Sequence, residues 1–200
     1  NVCYCGTILW WKLGEEVMAL DVNMNVPLVS IIGQWFKNYH GKKYDSESEA
    51  TVSRNNAAIR AENLNINSIP EDAKNAIETA VYITGTDFKA KTNKRQNPSE
   101  LKNNLYFVGQ MESEYRTKTQ MGGGPAKSYW QVEPKTAKDI LTNASNYFGD
   151  KFEEKFSKTY GNNAKQKLDN MSMEQLSEAL EKDDSLAATF AAMKINQTYD

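Results

Sequence analysis

The stretch NPSELKNNLYFVGQMESE, residues 97–114, carries the clearest structural signal in the chain. Asn97 is a typical helix N-cap, and Pro98 suits the first turn because its missing amide hydrogen would have no helical partner there. Apolar side chains then recur at helical spacing on one face, at Leu101, Leu105 and Val108. The pattern predicts an amphipathic helix that packs this face against a core.

Glu112 follows next on the same apolar stripe. A carboxyl group at the inner end of such a face is partly removed from water, and because desolvation penalises the ionised form, its pKa is expected to rise. A raised pKa is what a general acid working near neutral pH requires. The alternative interpretation is that Glu112 ends the helix at the surface.

Helix signals recur through the rest of the chain. Ser68 and Glu71 form an S-x-x-E capping box with Pro70 in the first turn, which predicts a helix start at Ser68. A further helix is predicted to begin near Pro134 and to end before Gly149. Two more are predicted in the tail, with starts marked by Ser172 with Gln175 and by Asp183 or Asp184. No strand-like alternation of useful length is evident, so the predicted class is mainly α.

Residues 1–67 differ in character from the rest of the chain. From Thr7 to about Phe36 the sequence is apolar and predicts helix in two pieces, broken in the stretch from Asn23 to Pro27. Residues 38–67 are polar and poor in bulky apolar side chains, as expected of a linker. We therefore expect a helical N-terminal extension with an assembly or packing role over 1–67, and a second unit over 68–200.

Charge and composition exclude several classes of function. The formal net charge of −2 gives no reason to expect nucleic acid, which requires a basic face. No apolar run reaches the roughly 18 residues that a membrane-spanning helix needs. Cys3 and Cys5 are separated by one residue and His40 is the single histidine, so neither a redox motif nor a metal site is expected. The sequence predicts no metal and no cofactor.

Two other catalytic classes fail on motif positions. The segment GGGPAKS has the glycines and the Lys-Ser pair of a phosphate-binding loop, but that motif needs glycine where Met121 and Ala126 stand. No serine lies in a G-x-S-x-G elbow, which argues against a serine hydrolase. A single carboxylic acid at the end of an apolar helix is the chemistry that remains.

An aromatic and amide group follows the glycine-rich segment, at Tyr129, Trp130 and Gln131. Aromatic faces stack on sugar rings, and an amide can hold an acetamido group through paired hydrogen bonds. The group therefore suits binding of an aminosugar polymer. Ordinary core packing of Tyr129 and Trp130 is the equal alternative.

The segment from Gly109 to Ile140 resembles the first two motifs of lytic transglycosylases and goose-type lysozymes, including the forms found in tailed-phage virion proteins. That family has a Glu-Ser pair at the end of a helix and, downstream, the pattern A-x-G-L-M-Q-V-x-P-x-T-A. Here Glu112 and Ser113 match the pair, and the second motif matches in register at Ala126, Gln131, Val132, Pro134, Thr136 and Ala137. Ser128 stands where the family has glycine, and the family's third motif, a Tyr-Asn pair, has no clear counterpart downstream of Gln131.

This resemblance implies a lysozyme-like helical domain that cleaves peptidoglycan as a muramidase of the lytic transglycosylase type. Glu112 would be the catalytic acid, with Ser113, Tyr129, Trp130 and Gln131 binding the glycan strand. The resemblance also implies a place in a phage virion, delivered to the bacterial periplasm and cell wall to open the wall during genome ejection. Contacts with other virion proteins, or self-association, would then involve the N-terminal region.

Three alternatives stay open. Glu133 is either a second carboxylate or a cap of the next helix. The chain is alternatively a structural virion or assembly protein that keeps the fold with little activity, in which case an aromatic group would contact neighbouring subunits, namely Trp10, Trp11, Trp35 and Phe36. A third possibility is a glycan-binding module without turnover.

Overall fold

The computed structural model describes the backbone of three strands between residues 3 and 21, and then residues 64–85, 97–120 and 123–198. Within these ranges the chain is mainly helical, which confirms the predicted class. The α-helices are α1 Glu71–Thr84, α2 Pro98–Ser113, α3 Pro134–Tyr147, α4 Asp150–Tyr160, α5 Ala164–Asn170, α6 Met173–Lys182 and α7 Asp184–Thr198.

The N-terminal strands form one antiparallel sheet in the order β1-β2-β3. They are β1 Cys3–Cys5, β2 Ile8–Leu13 and β3 Glu16–Asp21. Cys3 pairs with Trp10 in the first ladder, and Leu13 pairs with Glu16 in the second. The expectation of helix from Thr7 onwards is therefore wrong over these residues.

A sequence signal for this sheet was present. The strands are separated by Gly6-Thr7 and by Gly14-Glu15, and a glycine followed by another residue is typical of a two-residue hairpin loop. Isoleucine and tryptophan between these pairs, and valine after the second pair, also favour strands over helix. The second predicted helical piece, most of the linker and the side chains of the aromatic group lie outside the described residues.

Helix α7 lies at the centre of the helical part. Buried apolar residues occur on all its sides rather than along one stripe, as in a helix that other helices surround: Leu186, Ala187, Ala188, Phe190, Ala191, Ala192, Met193 and Ile195. Its most extensive contact is with α1. Helix α1 presents the buried small residues Ala73, Ala76 and Ala80, and small side chains allow two helix axes to come close.

Two predicted helix starts are confirmed by their hydrogen bonds. Asn97 Oδ1 accepts from the Ser99 amide at 2.9 Å, and the Asn97 amide donates to Glu100 Oε2 at 3.3 Å. The Ser172 amide donates to Gln175 Oε1 at 2.9 Å, and the Gln175 amide donates to Ser172 Oγ at 3.2 Å. Both are reciprocal capping boxes.

The predicted capping box at Ser68 is wrong. Ser68 lies in a short 3-10 helix, Ile66–Ser68, and its hydroxyl donates to the Asn65 carbonyl at 2.8 Å. The next residue, Ile69, has extended backbone with ψ of 133° because a following proline disfavours helical geometry. Helix α1 consequently begins after Pro70, at Glu71.

Helix α3 begins at Pro134 as predicted and ends at Tyr147, shortly before Gly149. Helices α4 and α5 were not anticipated in the sequence. The signal for α4 is a series of aromatic rings four residues apart with centroids 4.4, 5.4 and 4.9 Å from one to the next, formed by Phe148, Phe152, Phe156 and Tyr160. This spacing places Phe152, Phe156 and Tyr160 on one face of α4, and Phe148, which precedes the helix, stacks on Phe152.

Candidate active site

The C-terminal end of α2 carries the candidate acid. Glu112 is half-buried, as expected from its position at the inner end of the apolar face. Ser113 is 7% exposed; its hydroxyl donates to the Gly109 carbonyl at 3.0 Å and accepts from the Tyr115 amide at 3.1 Å. Ser113 therefore closes the helix end with its own hydroxyl group. The raised pKa expected for Glu112 stays a prediction.

Tyr115 is a residue of this site that the sequence analysis missed. Its ring lies directly on Gly109, since a Cβ added there would come 2.4 Å from Tyr115 Cζ. Its phenol donates to the carbonyls of Tyr106 at 3.0 Å and Leu105 at 3.3 Å. Burial raises the pKa of Tyr115, so the phenol stays neutral. An isolated glycine within a helical pattern, here Gly109, was the available signal.

Left-handed backbone is concentrated in two short segments. Among the described residues, positive φ values for residues other than glycine occur at Glu114, Tyr115, Ser128, Gln131 and Asn163. Four of these five positions either follow Glu112 closely or bound the turn Ser128–Gln131. This conformation costs roughly 1–2 kcal/mol per residue and persists only where surrounding contacts impose it. Such strain is typical of active sites.

Hydrogen bonds hold the turn Ser128–Gln131 in shape. The Ser128 amide donates to the Lys118 carbonyl at 2.8 Å, and Lys127 and Val132 exchange amide bonds of 3.0 and 2.9 Å at the base of the turn. Gln131 is 5% exposed, and its side-chain amide donates to the Ser128 carbonyl at 2.8 Å. Gln131 therefore stabilises the turn from within.

The aromatic rings of the turn face the protein interior. Trp130 has no exposed surface, and its Nε1 donates to the Leu105 carbonyl at 3.0 Å. The ring centroids of Tyr115, Tyr129 and Trp130 lie 5.5 to 6.3 Å apart. For Trp130 the structure favours core packing over sugar stacking, because a ring without exposed surface cannot accept a sugar on its face. Tyr129 is 7% exposed, and its ring likewise packs against Tyr115 and Trp130. These rings instead join the turn to the end of α2.

An ionic cluster ties the same turn to two helix starts. Lys118 Nζ lies 3.1 Å from Asp72 Oδ2 at the start of α1 and 2.6 Å from Asp184 Oδ2 at the start of α7. It also lies 4.8 Å from the centre of the Tyr129 ring, and the Tyr129 phenol donates to Asp72 Oδ2 at 3.3 Å. The partners stand 46 and 66 residues from Lys118, so no local sequence pattern points to them.

The two carboxyl groups of this cluster have pKa shifts of opposite sign. Burial raises the pKa of Asp184 above its ordinary value, although the Lys118 ammonium opposes the shift. Burial acts in the same direction on Asp72, but hydrogen bonds from Lys118 and the Ala73 amide outweigh it and lower the pKa. Ionised Asp72 therefore stabilises the folded protein at pH values above the pKa that it has in the unfolded chain. This stabilisation is lost as the pH falls through the lowered pKa of Asp72 in the folded protein. Ionisation of Asp184, by contrast, opposes folding.

Replacing Lys118 with methionine is expected to lower the free energy of unfolding by about 1 kcal/mol at pH 7, because both carboxylates lose their counterion. The loss should shrink as the pH falls, because Asp184, with its raised pKa, is the first of the two carboxyl groups to become neutral. Urea unfolding of both proteins between pH 7 and about pH 4 checks this. A difference that does not change with pH would contradict it.

Ser128 offers a test of the turn's backbone strain. Its φ is 65°, and its hydroxyl accepts from the Trp130 amide at 3.3 Å. Both Ser128→Gly and Ser128→Ala remove this hydrogen bond, but only glycine adopts the left-handed conformation without cost. The glycine variant should therefore be more stable than the alanine variant by about 1 kcal/mol. Equal urea midpoints for the two variants would refute the strain argument.

Glu133 occupies the N-cap position of α3 with extended backbone, as the following proline predicts. Glu133 is therefore the N-cap residue of α3, as the capping alternative expects, although its side chain makes no cap hydrogen bond. Its possible role as a second carboxylate stays an alternative.

Among the residues that the structure describes, no group of histidine, cysteine and acidic side chains is arranged to hold a metal ion. None of the helices described is both long and apolar enough to cross a membrane. No protein-family model, no curated protein and no solved structure matches the chain.

Proposed function

We propose that this chain is a peptidoglycan-cleaving muramidase of the lytic transglycosylase type, with Glu112 as its acid. The observation that carries the proposal is left-handed backbone at the two residues that soon follow the half-buried Glu112 and at both ends of the turn Ser128–Gln131. Two of the four left-handed positions follow the Glu-Ser pair, and the other two lie in the segment that resembles the family's second motif. This backbone geometry, rather than the side chains at these positions, supports a functional role for the two segments.

The conformation of Ser128 supports the register of the resemblance. The family has glycine at this position, and glycine is the residue that adopts a φ of 65° at least cost. A turn of the family's shape would therefore place this backbone conformation where Ser128 lies. The backbone conformation of Ser128 is thus compatible with the family's glycine at this position.

The proposed reaction needs one carboxyl group. Protonated Glu112 donates its proton to the oxygen between N-acetylmuramic acid and N-acetylglucosamine as the bond from that oxygen to the muramic C1 breaks. Many glycosidases stabilise the resulting positive charge with a second carboxylate. The resemblance implies that the acetamido oxygen of the substrate takes this role. The Glu112 carboxylate then removes the proton of the muramic 6-hydroxyl, which attacks C1 and gives the anhydro product.

The buried polar residues act through the backbone they hold. The Ser113 hydroxyl donates to the Gly109 carbonyl at the end of α2. The Gln131 side-chain amide donates to the Ser128 carbonyl within the turn. In this proposal both residues shape the surface that meets the sugar, which revises the expectation that they bind it directly. Tyr129 and Trp130 support the same surface from inside.

The lysozyme-like fold and the place in a phage virion rest on the resemblance alone. We infer that the protein is carried in the particle and opens the cell wall locally during genome ejection. The second candidate function is a structural virion protein with little activity. It is favoured by one observation, the inward packing of Trp130, which removes a sugar platform from the site.

Incubation with purified, insoluble peptidoglycan tests the proposal. We expect soluble glycan fragments to appear in proportion to the amount of protein and to time. Sedimentation of the protein with peptidoglycan, without release of fragments, would instead indicate a glycan-binding module. Neither binding nor release by the folded protein would favour the structural role.

A further inference from the structure

The turn Ser128–Gln131 is held from two directions by a single residue outside it. The Lys118 carbonyl accepts from the Ser128 amide at 2.8 Å. The Lys118 ammonium bonds to Asp72 and Asp184, which stand at the starts of α1 and α7. Lys118 therefore connects the backbone of the turn to the two helices that pack together most extensively.

Contacts from the turn itself converge on the same cluster. Tyr129 bonds to Asp72 Oδ2 through its phenol, and its ring lies under the Lys118 ammonium. Burial alone would lower the pKa of Lys118, but its hydrogen bonds to Asp184 and Asp72 outweigh this and raise the pKa, so the cation persists at neutral pH. The Lys118 cation is thus bonded to one oxygen of each of the two carboxyl groups at neutral pH.

The geometry points to Lys118 as a positioning residue, which fixes the turn that carries Gln131 relative to Glu112 by tying it to the N-terminal ends of α1 and α7. The inference that a shift of this turn slows the reaction rests on the proposed function. Ser128 and Gln131 are in strained left-handed backbone and relax unless contacts outside the turn resist. Lys118 provides that resistance, and displacement of a substrate-contacting surface by about 1 Å is enough to slow a reaction severely.

Four variants distinguish an effect of Lys118 on the position of the turn from an effect on the stability of the whole protein. Lys118→Met removes the charge, and Lys118→Arg keeps it. Lys165→Met is the matched control, since the Lys165 side chain is 31% exposed against 35% for Lys118 and is likewise ion-paired between elements, with Glu153 at 3.3 Å. Asp72→Asn removes one arm of the cluster and serves if Lys118→Met does not fold.

Two readouts are measured on the full chain: cleavage of soluble, uncrosslinked peptidoglycan glycan chains, and hydrogen exchange of individual amides. Lys118→Met should cleave about tenfold more slowly, Asp72→Asn about threefold, and Lys118→Arg within about twofold of the wild type. Exchange at the Ser128 and Gln131 amides should accelerate in the first two variants by a larger factor than exchange at core amides such as Ile77, which follows overall stability. Lys165→Met should match the wild type in both readouts.

If the wild type cleaves the glycan chains and Lys118→Met cleaves them at the same rate, the inference is overturned. Slower cleavage with the same factor of acceleration at Ser128, at Gln131 and throughout the core would also overturn it, because Lys118 would then act only on overall stability. If the wild type cleaves no glycan, the proposed function fails separately. Exchange then decides the positioning role alone: local acceleration at Ser128 and Gln131 supports it, and unchanged exchange there refutes it.

Discussion

Replacing Glu112 with glutamine is expected to lower the rate of glycan cleavage by a factor of about 10²–10⁴, because the amide cannot donate the proton that the leaving oxygen needs. The size of the side chain is nearly unchanged, so the half-buried position should still be filled and the protein should unfold at a similar urea concentration. The rate is measured by chromatography of fragments released from soluble glycan chains.

Glu114→Gln is the matched control for this experiment. Glu114 is two residues away, is also partly buried, and pairs with Arg116 at 3.2 Å. Its replacement removes the same charge from the same helix end and should leave at least half of the wild-type rate. Comparable losses in both variants would attribute the effect to local charge rather than to a proton donated by Glu112.

Gly109→Ala is expected to destabilise the protein by roughly 1–3 kcal/mol, because the added methyl group would lie 2.4 Å from Tyr115 Cζ and Oη in a packed interior. The effect of Gly109→Ala on the free energy of unfolding should change sign when the Tyr115 ring is absent. In a Tyr115→Leu background the colliding atoms are gone, and alanine should stabilise α2 by about 0.5–1 kcal/mol, as it does within helices generally.

Urea unfolding of the four proteins in this double-mutant cycle gives the interaction energy directly. The reversal matters for function because Tyr115 lies between the helix that carries Glu112 and the rings of the turn. An equal effect of Gly109→Ala in both backgrounds would mean that Tyr115 does not lie on Gly109.

Local signals predicted the parts of this fold that depend on neighbouring residues. Asn97 with Pro98, and Ser172 with Gln175, mark helix starts because the capping bonds join residues two or three positions apart. Ser68 misled for an equally local reason, since its capping pattern contained a proline that forces the preceding residue out of helical geometry. The N-terminal sheet was not predicted because its clustered apolar residues were taken to indicate helix. The Gly-X pairs between the strands, which are typical of hairpin loops, were the signal that indicates strands instead.

The candidate site was predictable in its sequence segments but not in its orientation. Glu112 and the turn ending at Gln131 follow from motif and periodicity. Whether Trp130 faces a sugar or the core depends on which carbonyl its Nε1 reaches, and that carbonyl belongs to Leu105, 25 residues earlier. The contacts of Lys118 with Asp72 and Asp184 are likewise long-range, and only the folded chain brings them together.

Mass analysis of the soluble fragments released from purified peptidoglycan by the wild type and by Glu112→Gln tests the central claim most directly. The account predicts anhydro-muropeptides from the wild type and none from the variant. Anhydro products from both proteins would contradict the assignment of Glu112 as the acid, and no products from the folded wild type would contradict the proposed muramidase activity itself.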